Sequence, residues 1–315
     1  MSHALPPYVF AIIVPLFFGL IVWEMVMYRR QGRPFPFAEG LVSLVVASAN
    51  QMANFGGAYL TRPISSWVYE HRIFTIPMDR WWSWVLLFLG LEFFYYWMHR
   101  AGHEIRWMWA SHSVHHSPVT ITFSGAYRLS VTSVVSGLFL FFLPLSWLGF
   151  PPKAVALMFS INLLYQFWLH TDQIKRLGWF EKWFNTPSHH RVHHAMEDIY
   201  LDRNHGGILI IFDKMFGTFQ EERDDVPLTY GLIGKKATMN PLRVLFQEWQ
   251  AIFADVRRAR TPWTALRLLF GTPKNAAGLV EDSTRVQAPG SALLEPWLAP
   301  SGAVPLKTPR SGTDR

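Results

Sequence analysis

The stretch WWSWVLLFLGLEFFYYWMHRAGHEIRWMWASHSVHH, residues 81–116, joins an apolar segment directly to a run of histidines. Its first eighteen residues, 81–98, are long and apolar enough to cross a hydrocarbon layer of ~30 Å as a helix. Aromatic side chains stand at both ends of that segment, as they do at the two interfaces of membrane helices. The stretch therefore predicts a membrane helix that leads straight into a histidine-rich segment.

The composition of the whole chain also favours membrane segments. Of its 315 residues, 50% are hydrophobic and 16% are charged, whereas soluble domains are about 25% charged. Cysteine is absent, which excludes disulfide frameworks, thiolate-bound clusters or haem, and thiol catalysis. The net charge of +7 fits basic cytoplasmic segments, and the hydropathy favours this over nucleic-acid binding.

The first apolar segment, residues 9–28, predicts an uncleaved membrane span. It contains one charge, Glu24, and is followed by Arg29, Arg30 and Arg33. A secretory signal would carry its positive charges before the apolar run rather than after it. The N-terminus is therefore expected outside, with the arginines in the cytoplasm.

Three more apolar segments complete the predicted bundle. Residues 39–60 are either a span with a polar stripe or an interfacial helix, because asparagine and glutamine interrupt them. Residues 131–150 and 154–169 carry no charge and predict a hairpin of two spans. If all five segments cross the membrane, His99 and His170 lie at its cytoplasmic face. If 39–60 does not cross, this orientation has to be argued again.

Nine histidines fall into four clusters with helical spacing. Residues three and four apart on a helix share a face, so the H-x3-H and H-x2-H-H spacings each direct two imidazoles to one side, with a third close by. The clusters are His99 and His103; His112, His115 and His116; His170, four residues after Gln166; and His190, His193 and His194.

The number of histidines predicts two metal ions rather than one. Two ions with several nitrogen ligands each would use about nine imidazoles, whereas a mononuclear zinc hydrolase needs only about three protein ligands. The clusters lack the carboxylates of the facial triad and of the soluble di-iron bundles. An all-histidine di-metal site is therefore predicted.

Polar residues near the clusters are predicted to support the ligands. Glu92, seven residues before His99, is expected to face the same way and to pair with a histidine N–H, a proton path or an arginine. Asn162 and Gln166 share a face with His170, and Gln166 is interpreted as a weak ligand or a donor to one.

Five further residues stand close to the clusters in sequence. Three carboxylates are expected either to orient imidazoles or to face solvent, namely Asp172, Asp198 and Asp202. His189 is a candidate additional ligand, and His205 is expected either to support the site or simply to pack.

The four clusters resemble the histidine boxes of the fatty acid hydroxylase/sterol desaturase superfamily. Within it, the sequence looks most similar to the alkylglycerol monooxygenase-like branch. The resembling stretches are residues 92–117, 165–172 and 185–219. With the chain between them, the resemblance covers about 81–230. It departs from the fuller pattern at Gln166, which stands where other members have a histidine.

The resemblance implies an all-α, multi-pass transmembrane helical bundle with a cytosolic histidine-rich helical cap that holds two iron ions. It implies O2-dependent hydroxylation or desaturation of a lipid, with an ether-lipid or sterol-like substrate. Electrons would come from a separate protein or a reduced pterin, because no flavin, haem or ferredoxin motif is visible. The expected location is the bacterial inner membrane, or the endoplasmic reticulum in a eukaryote, and no nucleic-acid partner is expected.

The chain divides accordingly into four predicted regions. Residues 1–80 hold the N-terminal membrane segments and an outer loop, and residues 81–230 form the catalytic domain. Residues 231–275 have apolar side chains at helical spacing, which predicts an amphipathic helix on the membrane or against the cytosolic part. Residues 276–315, rich in Pro, Gly, Ser and Thr, predict a disordered tail.

Two other classes of protein stay open at this point, a membrane metal transporter or sensor and a zinc-dependent membrane hydrolase. Transporters place polar ligands near the bilayer midplane, whereas these histidines are predicted at one face, which argues against transport. Bound iron and substrate-dependent O2 uptake would distinguish the enzyme from both alternatives.

Overall fold

A computed structural model describes residues 7–275 of the chain. Within this range the chain contains helices and loops, and the only β-pairing is two isolated bridges, which confirms the predicted all-α class. The predicted tail, 276–315, lies outside the described residues. The α-helices, in chain order, are α1 (Pro7–Arg30), α2 (Phe37–Glu70), α3 (Trp81–Glu104), α4 (Arg106–His116), α5 (Leu143–Leu148), α6 (Pro152–Phe167), α7 (Pro187–His194), α8 (Ile211–Phe216), α9 (Pro241–Arg258) and α10 (Pro262–Phe270).

Helix α1 carries the one segment of the described range that is long and apolar enough to cross a membrane, Ala11–Arg30. Most of its side chains are exposed on the protein surface, among them Ile12, Leu16 and Phe18. Glu24 and Tyr28 are buried, and Glu24 is fully so. The segment agrees with the span predicted from the sequence, and it ends on two arginines.

The segment 131–150, predicted as one span, is not a single helix. Residues 131–137 form turns, a 3-10 helix follows over Leu138–Phe142, and α5 comes after it. Gly137 adopts a left-handed φ of 80°, which a continuing α-helix does not allow. The Ser136 hydroxyl donates to the Ser133 carbonyl, so local side-chain bonds compete with the helix ladder. The crossing count that depended on this span therefore does not support the orientation.

Helices α3, α5 and α6 pack around one apolar core. Leu87 and Leu91 of α3 meet Leu145 of α5 and Met158 of α6 there. A Cβ on Gly90 would lie 2.9 Å from a methyl group of Leu145, so the glycine lets α5 approach α3 closely. This packing brings the end of α6 beside the histidine-bearing end of α3.

The C-terminal helices pack against α4. Trp249 and Ile252 of α9 form a core with Ala110 of α4, and Arg106 of α4 pairs with Asp255 at 2.5 Å. Within the predicted amphipathic region, 231–275, α9 therefore packs part of its apolar side against α4, while Leu242 and Phe253 stay exposed.

Candidate metal centre

Helices α3 and α4 present the first two histidine clusters from two directions. Helix α3 continues beyond the predicted span and ends at Glu104, so His99 and His103 lie one turn apart on its last two turns. Ile105 then adopts an extended conformation with φ −106° and ψ 115°, and α4 starts in a new direction. The break turns the face of α4 back towards the end of α3.

The structure brings all nine cluster histidines together in two groups. In each group, one ring nitrogen of every histidine lies within 4.8 Å of the corresponding atoms of the others. Group one consists of His99, His103, His112, His116 and His193. Group two consists of His115, His170, His190 and His194.

Each H-x2-H-H cluster is divided between the two groups. On α4, His112 and His116 belong to group one, whereas His115 belongs to group two. On α7 the first and last histidines, His190 and His194, belong to group two, and His193 belongs to group one. Histidines four apart thus belong to the same group, and the third histidine of each cluster belongs to the other group. The two imidazoles that each cluster directs to one side are therefore those four residues apart.

The ring nitrogens of group two face one another at the spacing of metal ligands. Nδ1 of His170 lies 3.0 Å from the Gln166 carbonyl oxygen. Because a carbonyl oxygen only accepts hydrogen bonds, Nδ1 carries the ring hydrogen and donates it. Nε2 of His170 is then unprotonated, yet it lies 2.9 Å from Nε2 of His190 and 3.1 Å from Nε2 of His115. Nitrogens about 2.0–2.1 Å from a shared ion lie about 2.9–3.4 Å apart, so the geometry fits a bound cation.

Group one has the same construction. Nδ1 of His99 lies 2.8 Å from the carbonyl oxygen of His205, and its Nε2 lies 2.9 Å from Nε2 of His112. Nδ1 of His193 lies 2.9 Å from the carbonyl oxygen of Arg203. Nε2 of His103 is buried and has no hydrogen-bond partner in the described range. These unprotonated or unpartnered nitrogens all suit a cation rather than one another.

Burial lowers the pKa of eight of the nine imidazoles. Desolvation, reinforced by neighbouring imidazoles, lowers the pKa of His115 to about 4. It also holds the pKa well below its usual range for His99, His112, His116, His170, His190, His193 and His194. Neutral imidazole is the form that binds Fe, Zn, Cu or Ni. The donor set therefore fits two borderline metal ions.

Glu92 is buried beside the centre, but its partners differ from those expected. One carboxylate oxygen accepts 2.8 Å hydrogen bonds from the backbone N–H groups of Ile208 and Leu209. The other accepts from the Asn162 amide at 2.5 Å. Neither a histidine nor an arginine pairs with it, because the loop after His205 supplies two backbone donors that α3 alone did not predict.

Gln166 is occupied by other polar groups. Its Nε2 donates to the Asn162 side chain at 2.5 Å, and its Oε1 accepts from the Tyr95 hydroxyl at 2.9 Å. The residue belongs to neither group of histidines. It contacts the centre through its backbone carbonyl, which holds His170.

The three predicted carboxylates have three different environments. Asp202 lies 3.5 Å from Nδ1 of His103 and 2.7 Å from Lys274. Burial alone would raise its pKa, but these contacts lower it to about 2. Asp172 binds Arg33 at 2.6 Å and the Tyr28 hydroxyl, not an imidazole. Asp198 is exposed and contacts no histidine of the described range, because it lies in the turn after α7.

The two other candidate histidines, His189 and His205, belong to neither group. His189 on α7 is buried, but its ring packs against Phe219 at 5.3 Å between ring centres. It lies next to His190 in sequence, so it is turned about 100° away on the helix. His205 supports His99 through its backbone carbonyl, and its own ring centre lies 5.1 Å from that of His103.

Glu24 was not among the predicted site residues, although it contacts the loop after His170. Its carboxylate accepts from the Thr171 hydroxyl at 2.5 Å and from the Phe123 N–H at 3.0 Å. Thr171 directly follows His170, and its carbonyl accepts from Arg191, the neighbour of His190. A lone charge inside an apolar span was the available signal.

Asp213 was also missed, and it holds the loop that supports His99. It is fully buried and accepts from the N–H groups of His205 and Gly206, each at 2.7 Å, and from the Thr218 hydroxyl. Burial raises the pKa of this carboxyl to about 6. No spacing in the sequence marks this contact, because two of its three partners are backbone N–H groups.

Comparison with known proteins relates the segment that carries the histidines to one family. Residues 84–218 match the family described as fatty acid hydroxylase. Over 248 residues the chain is 39% identical to alkylglycerol monooxygenase of Homo sapiens, covering 76% of this chain and 55% of that protein. It is 42% identical over 224 residues to the protein of that name from Danio rerio, covering 69% of this chain and 49% of that protein.

A bacterial relative is matched over a larger share of its own length. The ornithine lipid hydroxylase of Rhizobium tropici is 26% identical over 234 residues, which is 71% of this chain and 69% of that protein. By contrast, the chain spans about half the length of the animal relatives that it matches. No solved structure matches the chain. The resemblance stated from the sequence, including the alkylglycerol monooxygenase-like branch, is confirmed.

Proposed function

Because residues 84–218 form a segment of the fatty acid hydroxylase family, we propose that the chain is a membrane-bound di-iron oxygenase. It hydroxylates, or desaturates, an unactivated C–H bond of a lipid with O2 and an external reductant. In the hydroxylation, one oxygen atom enters the C–H bond, and the other leaves as water with two electrons and two protons from the donor. The observation that carries the proposal is the division of nine imidazoles into two groups with facing nitrogens.

The two groups would each hold one iron ion. When bound, the ions supply the O2 activation that protein side chains cannot perform. The chain supplies the ligand geometry, because backbone carbonyls fix the rings of His99, His170 and His193. It also excludes water, since none of the ligands of group two is more than 8% exposed.

The lipid would reach the centre from the side of group two. A small cavity of about 10 Å³ lies there, lined by His115, His170 and His194 and by apolar atoms of Pro118 and Ile121. A cavity of that volume has room for about one water molecule. A substrate chain therefore enters only if the surrounding side chains move apart.

Helix α1 supports a location of the centre at the cytoplasmic face. The arginines at its C-terminal end favour the cytoplasm for that end, and Arg33 pairs with Asp172 two residues after His170. This argument does not depend on the number of crossings. The multi-pass arrangement, with α2, α3 and α6 beside α1, and the choice between a bacterial inner membrane and the endoplasmic reticulum belong to the proposal.

The named activities of the relatives favour an ether lipid or another polar lipid as substrate. Alkylglycerol monooxygenases and an ornithine lipid hydroxylase are both among the proteins that the chain resembles. Electrons would come from a separate protein or from a reduced pterin.

The test is metal analysis and O2 consumption with purified protein in detergent. We expect about two iron atoms per chain and O2 uptake that depends on added alkylglycerol and reductant. His193→Ala, in group one, and His115→Ala, in group two, should each lower the iron content and abolish turnover. The exposed His71, which bonds only the Trp67 carbonyl, provides the control variant His71→Ala.

Three results would contradict the proposal. Exchangeable metal without O2 use would indicate a transporter or sensor, and activity without oxygen or reductant would indicate a zinc hydrolase. An identical lipid profile in cells with and without the gene would remove the lipid-oxygenase function.

A further inference from the structure

A second cavity, of about 160 Å³, lies next to the small cavity at group two. Its lining is about equally polar and apolar and comes from the turn after α4, from Met196, from the loop before α9 and from α9 itself. A bound water needs a cavity of roughly 10–15 Å³. The second cavity therefore has room for a polar group of many atoms.

The two cavities share a wall. Tyr230 lines both of them. In the turn after α4, Pro118 and Thr120 line the small cavity, whereas Ser117 and Val119 line the large one. A molecule that fills the large cavity therefore lies one layer of side chains from the ligands of group two.

Hydrogen bonds fix this wall relative to the metal ligands. The Glu39 carboxylate accepts from the Val119 N–H at 3.1 Å and from the Thr120 hydroxyl at 2.7 Å. On the other side, the N–H of Met196 donates to the Thr229 carbonyl at 2.9 Å, and Ala195 forms a β-bridge with Tyr230. Ala195 directly follows His194, so the wall moves with a ligand of group two.

The large cavity carries one uncompensated positive charge. Two lysines line it, Lys235 and Lys236. Lys235 pairs with Glu248 at 2.5 Å, and this carboxylate is nearly buried. Lys236 is exposed at the cavity and has no ion pair or hydrogen bond among residues 7–275. The site therefore favours an anion over a neutral or cationic group.

We propose that this cavity binds the phosphate-bearing headgroup of the lipid substrate, with Lys236 as its counter-charge. The inference rests on the proposed function, because it places the reacting C–H bond at group two. Since the cavities adjoin, the oxidised carbon lies close to the headgroup and not at the far end of the alkyl chain. The specificity of the enzyme then comes from the polar end of the lipid.

Two lipids with the same alkyl chain test the charge, a 1-O-alkylglycerol-3-phosphate and the corresponding 1-O-alkylglycerol. Lys236→Gln removes the charge and keeps most of the side-chain length. We expect it to raise KM for the phosphate lipid about fivefold, the effect of an exposed ion pair of about 1 kcal/mol, with little change in kcat. KM for the neutral lipid should stay unchanged.

Two further variants serve as controls. Lys236→Arg retains the charge and should restore the wild-type KM. Lys175→Gln removes a charge from another exposed lysine, outside both cavities, and should change neither KM. An equal effect of Lys236→Gln on KM for both lipids, or no effect on either, would overturn the proposal that the cavity binds an anionic headgroup.

A binding measurement separates this inference from the proposed function. Calorimetric titration of the purified protein with a short-chain lysophosphatidic acid should show tighter binding to wild type than to Lys236→Gln, whether or not any lipid is oxidised. Inorganic phosphate should compete only weakly, and equal competition would assign the cavity to free phosphate. If no lipid is oxidised and the binding difference remains, the oxygenase proposal fails and the anion site stands.

Discussion

Nε2 of His170 illustrates how single residues are held in this centre. Nδ1 of the ring donates to the Gln166 carbonyl, and Nε2 faces the imidazoles of His115 and His190. His99 and His193 are held in the same way by carbonyls of the loop 203–205. Backbone carbonyls fix the tautomer without adding charge, so the ligand set stays neutral.

A variant of Gln166 tests whether its side chain supports the metal ligands or is itself a ligand. Its side chain bonds Asn162 and Tyr95, while its carbonyl holds His170. We expect Gln166→Ala to leave iron binding largely intact and to lower the free energy of unfolding by about 1–3 kcal/mol, since two buried polar groups lose a partner. Iron content and a denaturant titration measure the two effects, with His170→Ala as the variant that loses iron. Loss of iron in Gln166→Ala would show that the side chain is a ligand.

Glu92 anchors the loop that supports group one. Glu92→Ala removes the acceptor of three hydrogen bonds, from Ile208, Leu209 and Asn162. We expect a loss of about 3 kcal/mol or more of stability and a lower iron content, because this loop continues from His205, whose carbonyl holds His99. Glu92→Gln keeps one acceptor oxygen and should be milder. The exposed Glu70 gives the control Glu70→Ala, and equal iron in Glu92→Ala and this control would contradict the role.

At the scale of elements, α1 is part of the site as well as a membrane segment. Glu24 links α1 to Thr171 and Phe123, and the ring of Phe17 stacks on Phe167 at 3.7 Å. Two of these contacts lie at Phe167, the last residue of α6, and at Thr171, so they flank the turn that carries His170. The helix that looks most like a simple anchor therefore positions a ligand of group two.

Replacement of Glu24 tests that role. We expect Glu24→Ala to lower the iron content towards one atom per chain, because the Thr171 loop loses its acceptor and His170 becomes less well placed. Phe18→Ala, on the exposed face of the same helix, should keep the wild-type iron content. Iron analysis together with Mössbauer spectroscopy distinguishes loss at one position from loss at both. Full iron content in Glu24→Ala would contradict the prediction.

At the scale of the whole molecule, the buried imidazoles make stability depend on pH. Their pKa is lowered by burial, to about 4 for His115, from an ordinary value of about 6.5. Below about pH 6.5 the unfolded chain binds protons that the folded chain does not, so stability falls as the pH falls.

Acid should therefore release the metal and lower the melting temperature together. We expect Tm in detergent to decrease steadily from pH 7 to pH 5 and iron to dissociate over the same range. The chelator-treated protein should show the same trend from a lower starting Tm, because it lacks the stabilisation from bound metal. A Tm independent of pH over this interval would contradict the buried, neutral state of the histidines.

The sequence determined the helical class, the nine histidines and the neighbourhood of Glu92, Asn162 and Gln166. It could do so because helical periodicity is local, so residues three and four apart share a face whatever the rest of the chain does. Composition and length gave residues 9–28 as a membrane segment, and the apolar segment Ala11–Arg30 of α1 agrees with it.

The tertiary structure alone decided how the ligands divide and what supports them. The assignment of His115 and His193 to opposite groups depends on the break at Ile105 and on the docking of α7 against α4. The donors to Glu92 and the acceptor for Thr171 come from segments far apart in the chain. Periodicity carries no information about such pairs, because they form only when the packing of helices excludes water and brings distant backbone groups into contact.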